Sequence, residues 1–430
     1  MLKQAENELL TRVGPEAPMG RMMRRYWLPA GILEEIAQPD GPPVRVELLG
    51  EKLVAFRDSK GRAGLLDEHC PHRRASLVLA RNEDCGLRCL YHGWKIGVDG
   101  KVTEMPSEPE DSRLHGRIRT RSYPVRESGG ILWAYLGPAD HVPEFMPPPW
   151  AGKDVRIARI HESCNWAQSL EGAIDSSHSS ALHSANIRPG GSGDKTIAVD
   201  GEDVTILTRP STDKAPRLQV ETTEYGFGYA AIRKPTSKAD THDYVRITVF
   251  VAPFFAIIPP NAHYTLNQLH VPMDDENTMF YAVAAADQLT FDTAFWHERQ
   301  GARVGIDLDR NYRKIRTREN NYLQDRAAMK AGDFSGIEGV PAQDMAVQET
   351  MGTIVDRSRE NLGASDIAIV HFRRLMIDAA RRFEKGEPAL GTAERRQPFS
   401  AIRSFEGMVP KGVDWRAVWT SGKVPAASAP

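Results

Sequence analysis

Short runs in which apolar and polar residues alternate dominate the first third of the chain and predict a small unit of β-hairpins. Val44-Arg45-Val46-Glu47-Leu48-Leu49 and Leu53-Val54-Ala55-Phe56-Arg57 repeat with a period of two, the period at which successive side chains leave opposite faces of a strand. Asp58-Ser59-Lys60-Gly61 supplies the turn between such runs. The same pattern returns at Ile96 to Lys101 and at Gly130 to Leu136. Ahead of it, Glu6 to Tyr26 is polar with scattered apolar residues and reads as helix. Behind it, Pro138, Pro143, Pro147, Pro148 and Pro149 mark a linker. A helical segment around Trp166 to His183 follows, then a glycine-rich loop at Pro189 to Gly193, strands from Ile197 to Ala285, and helices over most of the remainder.

This pattern predicts an α+β protein: a small all-β domain, then helices packed on an antiparallel sheet. The expected divisions are an N-terminal helical segment over residues 1–26 that joins the larger mixed domain and a β domain over 27–140. The mixed domain covers 141–422, and a small, polar, frayed tail covers 423–430. The longest apolar run, Ile247 to Ile258, contains Thr248 and Pro253 and is too short to span a bilayer. No charged-then-apolar leader opens the chain, so the expected location is the cytoplasm.

Composition narrows the function. The 430 residues carry 55 Lys+Arg against 57 Asp+Glu, so no overall field favours nucleic acid or an anionic membrane. There are four cysteines, too few to matter as staples in a chain of this size. Two of them stand beside histidines: Cys70-Pro71-His72 and, sixteen residues on, Cys89-Leu90-Tyr91-His92. Two tight loops at hairpin tips can bring these four side chains together. Thiolates suit iron–sulfur irons, and two imidazoles in place of two thiolates raise the potential of one iron. Cys70 and Cys89 are therefore assigned to one iron of a Rieske-type [2Fe–2S] cluster, and His72 and His92 to the other. Structural zinc also accepts two cysteines and two histidines. Zinc fingers, however, order them Cys, Cys, His, His with at least two residues between the cysteines. Cys85 and Cys164 read as packed thiols.

A second constellation lies at Glu171 to His183. Glu171, Asp175 and His178 are spaced i, i+4, i+7, which a regular helix places on one face, while His183 falls off it. The helix must bulge or end between the histidines if both are to reach one metal. Two histidines and a carboxylate form the facial triad of non-haem Fe(II) oxygenases. Alone, such a segment more often presents a solvated face. Beside an electron-storing cluster, it supplies the acceptor the cluster needs.

Together with Gly93-Trp94, Asn165-Trp166 and Gln343-Asp344-Met345-Ala346-Val347-Gln348-Glu349, these motifs resemble the Rieske non-haem iron oxygenases, specifically the large oxygenase subunit of the phthalate dioxygenase type. The resemblance implies a helix-grip-like catalytic domain and a mononuclear iron held by His178, His183 and Asp344. An aspartate shortly after Pro341 is also placed to cap a helix. It further implies that Asp175 bridges an iron-ligand histidine to a cluster histidine of a neighbouring subunit, in a homotrimer or trimer-based assembly. Arg74 stands where the family has glycine.

The implied reaction uses O2 and externally supplied electrons to dihydroxylate an aromatic carboxylate such as phthalate. O-demethylation of a methoxylated aromatic or biaryl acid is the alternative. A non-catalytic Rieske electron carrier, with two irons per chain rather than three, is a further alternative. No Gly-x-Gly-x-x-Gly follows a strand, so a separate NAD(P)H-dependent reductase is expected. Arg233 and Arg246, set among apolar neighbours, and Arg217 are candidates to hold the substrate carboxylate, although an internal ion pair or a surface strand position is the commoner reason for any single arginine.

Overall fold

The computed structural model describes residues 2–189, 207–259, 264–392 and 399–424. The expected glycine-rich loop beyond Pro189, the start of the strand region at Ile197 and all but the first two residues of the tail lie outside them. The chain divides into two compact units, Val13–Ala151 and the combination of Met1–Arg12 with Gly152–Pro430.

The smaller unit is built of short antiparallel strands in three sheets, as its period-two pattern requires. Leu65 and Leu66, and Val54 and Phe56 of the neighbouring strand, are buried. Cys70, Cys89 and Trp94 belong to the same core cluster as Val54, Phe56 and Leu66.

The larger unit rests on one antiparallel sheet. Its strands are β1 (Asp154–Glu162), β2 (Arg217–Thr223), β3 (Gly226–Arg233), β4 (His242–Val251), β5 (Phe255–Ile258), β6 (Thr265–Pro272), β7 (Thr278–Ala286) and β8 (Phe405–Pro410). The order is β1-β7-β6-β5-β4-β3-β2, with β8 paired to β4. Helices α1 (Trp166–Ala173), α2 (Val340–Thr350) and α3 (Ile367–Glu384) belong to this unit; α1 lies against β5, β6 and α2, and α3 against β2.

Alternation decides what each face of the sheet does. On β3 and β4, Ala230, Ile232, Val245, Ile247, Val249 and Val251 enter one apolar core with Trp415 and Trp419. The intervening Tyr229, Arg233, Tyr244, Arg246 and Thr248 therefore leave the opposite face, and all five are buried there. Register places Ala231 opposite Arg246 and Tyr244 opposite Arg233 on β3 and β4, and Arg246 opposite Glu406 on β8. No helix among the described residues is long and apolar enough to cross a membrane.

Candidate functional site

The loop that carries the two histidines is shaped by Asp175. Helix α1 ends at Ala173 rather than running on to His178, because the Asp175 carboxylate accepts the backbone N–H groups of Ser177 (2.7 Å) and His178 (3.4 Å). Such a side-chain turn competes with helix propagation. A short 3-10 turn, His178–Ser180, follows. Consequently Glu171 does not share a face with His178. It points elsewhere, accepting from Arg373 (2.8 and 2.9 Å) and Arg357 (3.1 Å) in a buried ion network.

The turn brings His178 Nε2 to 3.0 Å from His183 Nε2. Asp344 reaches both, with Oδ1 3.0 Å from His183 Nε2 and 3.4 Å from His178 Nε2. Asp344 is the fifth residue of α2, whose N-cap is Gly339, so it caps nothing and faces the histidines. One ligand-type atom from each of His178, His183 and Asp344 thus lies close enough to the other two to share one metal ion.

The outer nitrogens fix the inner ones. Gln343 donates its amide to Asn186 Oδ1 (3.0 Å) and to the Ile337 carbonyl (2.7 Å), so its Oε1 must accept from His183 Nδ1 at 2.7 Å. Asp175 Oδ2 lies 3.5 Å from His178 Nδ1 and holds that proton in the same way. Both Nε2 atoms thus turn lone pairs toward each other and toward a carboxylate, an arrangement that repels unless a cation sits between them. The donor set fits a divalent iron. Without a metal that cation is a proton: burial favours the neutral His178 ring, yet Asp175 and Asp344 overcome it and raise its pKa to about 10. The histidines in turn hold Asp344 well below the ordinary carboxylate range despite its burial.

A cavity of about 160 Å³ opens beside this triad, lined by His178, His183, Asp344, Arg209, Arg246 and Tyr264 among others. Arg246 pairs with Glu406 (3.3 Å) and donates to the Pro259 carbonyl (3.2 Å). Arg209, which the sequence pattern did not single out, is buried and donates to Ser179 Oγ (3.1 Å), while its Nε has no partner. Burial first, then Arg246 and Arg233, push its pKa down to about 9. Arg233, read from sequence as substrate-facing, lies outside the cavity lining. It gives Nη2 to the Ser176 carbonyl (2.6 Å), and its Nε and Nη1 have no partner. Arg217 is exposed at the first position of β2 and takes no part. A larger cavity of about 490 Å³ meets the first at Asp344, Tyr264, Leu266 and Gln268.

In the smaller unit, two chain reversals present the other four predicted ligands. Arg74 N–H donates to the Cys70 carbonyl (3.0 Å), and Gly93 N–H to the Cys89 carbonyl (2.9 Å). The Cys70 thiol lies within hydrogen-bonding reach of Cys89 and is pushed up to about 11, chiefly by burial. The His72 and His92 rings lie 4.4 Å apart, and His72 stacks on Trp94 at 4.4 Å. His72 Nδ1 is buried with no partner. Two adjacent buried thiols and an orphaned imidazole nitrogen fit a cluster with mixed ligands.

Residues 26–124 match the Rieske [2Fe-2S] domain, and residues 134–428 match the LigXa C-terminal domain. The chain is 54% identical to the phthalate 4,5-dioxygenase oxygenase subunit of Pseudomonas putida, over 97% of this chain and 94% of that one. This chain belongs to the Rieske non-haem iron ring oxygenases. It is an oxygenase subunit of the phthalate dioxygenase type, an enzyme that uses a [2Fe–2S] cluster, a mononuclear iron and O2. The zinc and simple electron-carrier readings therefore fall. The chain is also 31% identical to the 5,5'-dehydrodivanillate O-demethylase oxygenase subunit of a Sphingobium species, over 96% of this chain and 91% of that one. The oxygenase solved in reduced complex with ferredoxin in carbazole 1,9a-dioxygenase has the same fold (TM-score 0.54, 19% identity, 92% of this chain and 99% of that one).

Proposed function

We propose that this oxygenase dihydroxylates an aromatic dicarboxylate of the phthalate class. In this reading Cys70, Cys89, His72 and His92 hold the cluster, and His178, His183 and Asp344 hold the mononuclear iron. When bound, the cluster supplies electrons one at a time and the iron supplies the site of oxygen activation. Gln343 and Asp175 keep the two ligand histidines in the tautomer that binds metal. Asp175 has a second task, as the carboxylate through which His178 meets a cluster histidine of a neighbouring subunit in a trimer.

The observation that carries the substrate class is buried positive charge. Arg209 and Arg246 line the cavity that contains His178 and Asp344, with Arg233 nearby. Among the described residues Glu406 pairs with Arg246, and no carboxylate lies within ion-pair distance of Arg209 or Arg233. Buried guanidinium groups need anionic partners, and their planar forks match carboxylates. A dicarboxylate held there has its ring in the same cavity as the triad. Electrons come from a separate NAD(P)H-dependent reductase in the cytoplasm, in keeping with the ferredoxin bound to the carbazole oxygenase.

The adjoining larger cavity favours a second reading, O-demethylation of a methoxylated or biaryl acid, because it has room for a further ring or methoxy group. A substrate screen with reductase supplied decides between them. The diol of a benzene dicarboxylate supports the first reading. A phenol with formaldehyde supports the second and overturns the first.

A further inference from the structure

Three elements of the catalytic unit place a carboxyl, a hydroxyl and an imidazole in one line. Glu162 closes β1, Ser169 lies in α1 and His270 lies in β6. Ser169 Oγ is 2.5 Å from Glu162 Oε2 and 2.7 Å from His270 Nδ1. All three are buried, and His270 Nε2 has no partner. All three also line the larger cavity, which Asp344 lines as well. Nothing in the assigned ligand set or the arginine cluster uses them. A buried imidazole with one nitrogen tied and the other without a partner, in a residue that lines the cavity, is an unexplained group beside a reacting centre.

We propose that Glu162, Ser169 and His270 form a proton relay that delivers one of the protons consumed in the oxygenation. The inference rests on the oxygenase reaction but not on the choice of substrate. Adding both atoms of O2 across an aromatic double bond breaks the O–O bond and forms two C–O bonds. It consumes two electrons, which the reductase supplies, and two protons. In the loaded state the Glu162 carboxyl donates to Ser169 Oγ, the Ser169 hydroxyl donates to His270 Nδ1, and His270 carries its ring proton on Nε2. Transfer of the Nε2 proton to a product oxygen draws the Ser169 proton onto Nδ1 and the Glu162 proton onto Oγ. The spent state has an ionised Glu162, a Ser169 that donates to it, and a bare Nε2. The ring is never left charged, which suits a histidine whose burial holds its pKa down at about 3. Between turnovers a proton from cavity water returns to Nε2, the Nδ1 proton moves back to Ser169 Oγ and the Ser169 proton back to Glu162, which restores the loaded state.

The surroundings allow the carboxyl to carry that proton. Burial raises Glu162 to about 7, Lys314 opposes the rise, and Glu349 and the Cys164 thiol are its other titratable neighbours. Asp344 is the charge that faces His270.

Two measurements test the relay. Infrared spectroscopy of the metal-free protein, with no substrate present, should show a protonated-carboxyl band that titrates near neutral pH and is lost in Glu162→Gln. A Glu162 ionised across the whole range would overturn the proposal. In single turnover of the iron-loaded enzyme, Ser169→Ala should slow product formation by on the order of 10²-fold at unchanged substrate affinity, and divert O2 to hydrogen peroxide. Ser169→Thr, which keeps the hydroxyl, should restore both. Glu162→Gln, which keeps the hydrogen bond but holds no acid proton, should behave like Ser169→Ala. Wild-type rate and coupling in either of those two loaded variants would overturn the relay. A failure to turn over any phthalate isomer would instead count against the proposed substrate class and leave the infrared result standing.

Discussion

Replacing Arg209 with methionine separates the two things a buried arginine does. Its pKa falls from the ordinary arginine value to about 9, because burial and the neighbouring Arg246 and Arg233 all disfavour the charge. At neutral pH the side chain is protonated in both folded and unfolded protein, so the penalty is fully present. It fades only as pH rises from the folded toward the unfolded value. That shift is equivalent to about 5 kcal/mol, a ceiling that relaxation and water in the cavity reduce. Arg209→Met removes the penalty together with one hydrogen bond to Ser179 Oγ, worth about 1 kcal/mol. The ligand-free protein should therefore be stabilised, by about 1–3 kcal/mol in thermal unfolding. A dicarboxylate that relieves the same repulsion on binding should lose on the order of 2–4 kcal/mol of affinity, the usual cost of truncating one member of a buried charge pair. Calorimetric titration of benzene-1,2-dicarboxylate into iron-loaded protein measures that loss, and benzoate serves as the single-carboxylate control. A variant that is less stable without ligand and binds the dicarboxylate as tightly as wild type would refute the reasoning. It would make Arg209 a structural residue.

Gln343→Leu should weaken Fe(II) binding about 10–100-fold by releasing the His183 ring, read by metal titration of the stripped protein; unchanged affinity would show that His183 needs no anchor. Arg74 has φ of 62°, in the left-handed region that favours glycine, and its ion pair with Asp67 is long (3.4 Å) and exposed. Arg74→Gly should raise the temperature at which cluster absorbance is lost, by about 0.5–1 kcal/mol of stability, since an exposed pair of this kind contributes little. Glu171 is buried, which alone would raise its pKa, but Arg357 and Arg373 lower it below the ordinary value. Its contribution is complete above the unfolded carboxylate pKa and is lost as pH falls through the folded one. Glu171→Gln should cost about 3–5 kcal/mol at neutral pH by leaving buried Arg357 without a carboxylate and Arg373 with Glu360 alone, and should flatten the acid limb of the stability curve. At saturating Fe(II), Asp175→Ala should have both metal sites filled and still abolish turnover; retained activity would remove the proposed bridge.

The cluster motif was legible because the four residues proposed to hold it are local, on two reversals whose spacing alone constrains the metal. His178 and His183 were legible as a pair, but their geometry was not. A helical wheel put Glu171 beside His178, whereas the Asp175 carboxylate ends the helix early and sends Glu171 into an ion network. Asp344 came from resemblance, since only the packing of α2 brings it to the histidines. Arg209 and Glu406 were missed because strand pairing, which no periodicity records, carries Arg209 to the cavity and sets Glu406 beside Arg246. Arg246 was visible as a charge among apolar residues, and the same signal misplaced Arg233. Both leave the same face of the sheet, but only Arg246 reaches the cavity. Gln343 stood next to Asp344 in the sequence, yet its role depends on Asn186 and Ile337 fixing its amide.

The account stands most directly on where the oxygen atoms go. Iron-loaded enzyme, supplied with reductase, benzene-1,2-dicarboxylate and isotopically labelled dioxygen, should yield a dihydrodiol dicarboxylate in which both new oxygen atoms carry the label. His178→Ala should retain the cluster spectrum and form no product. A fully iron-loaded wild-type enzyme that leaves the dicarboxylate untouched, or places only one labelled atom in its product, would contradict it.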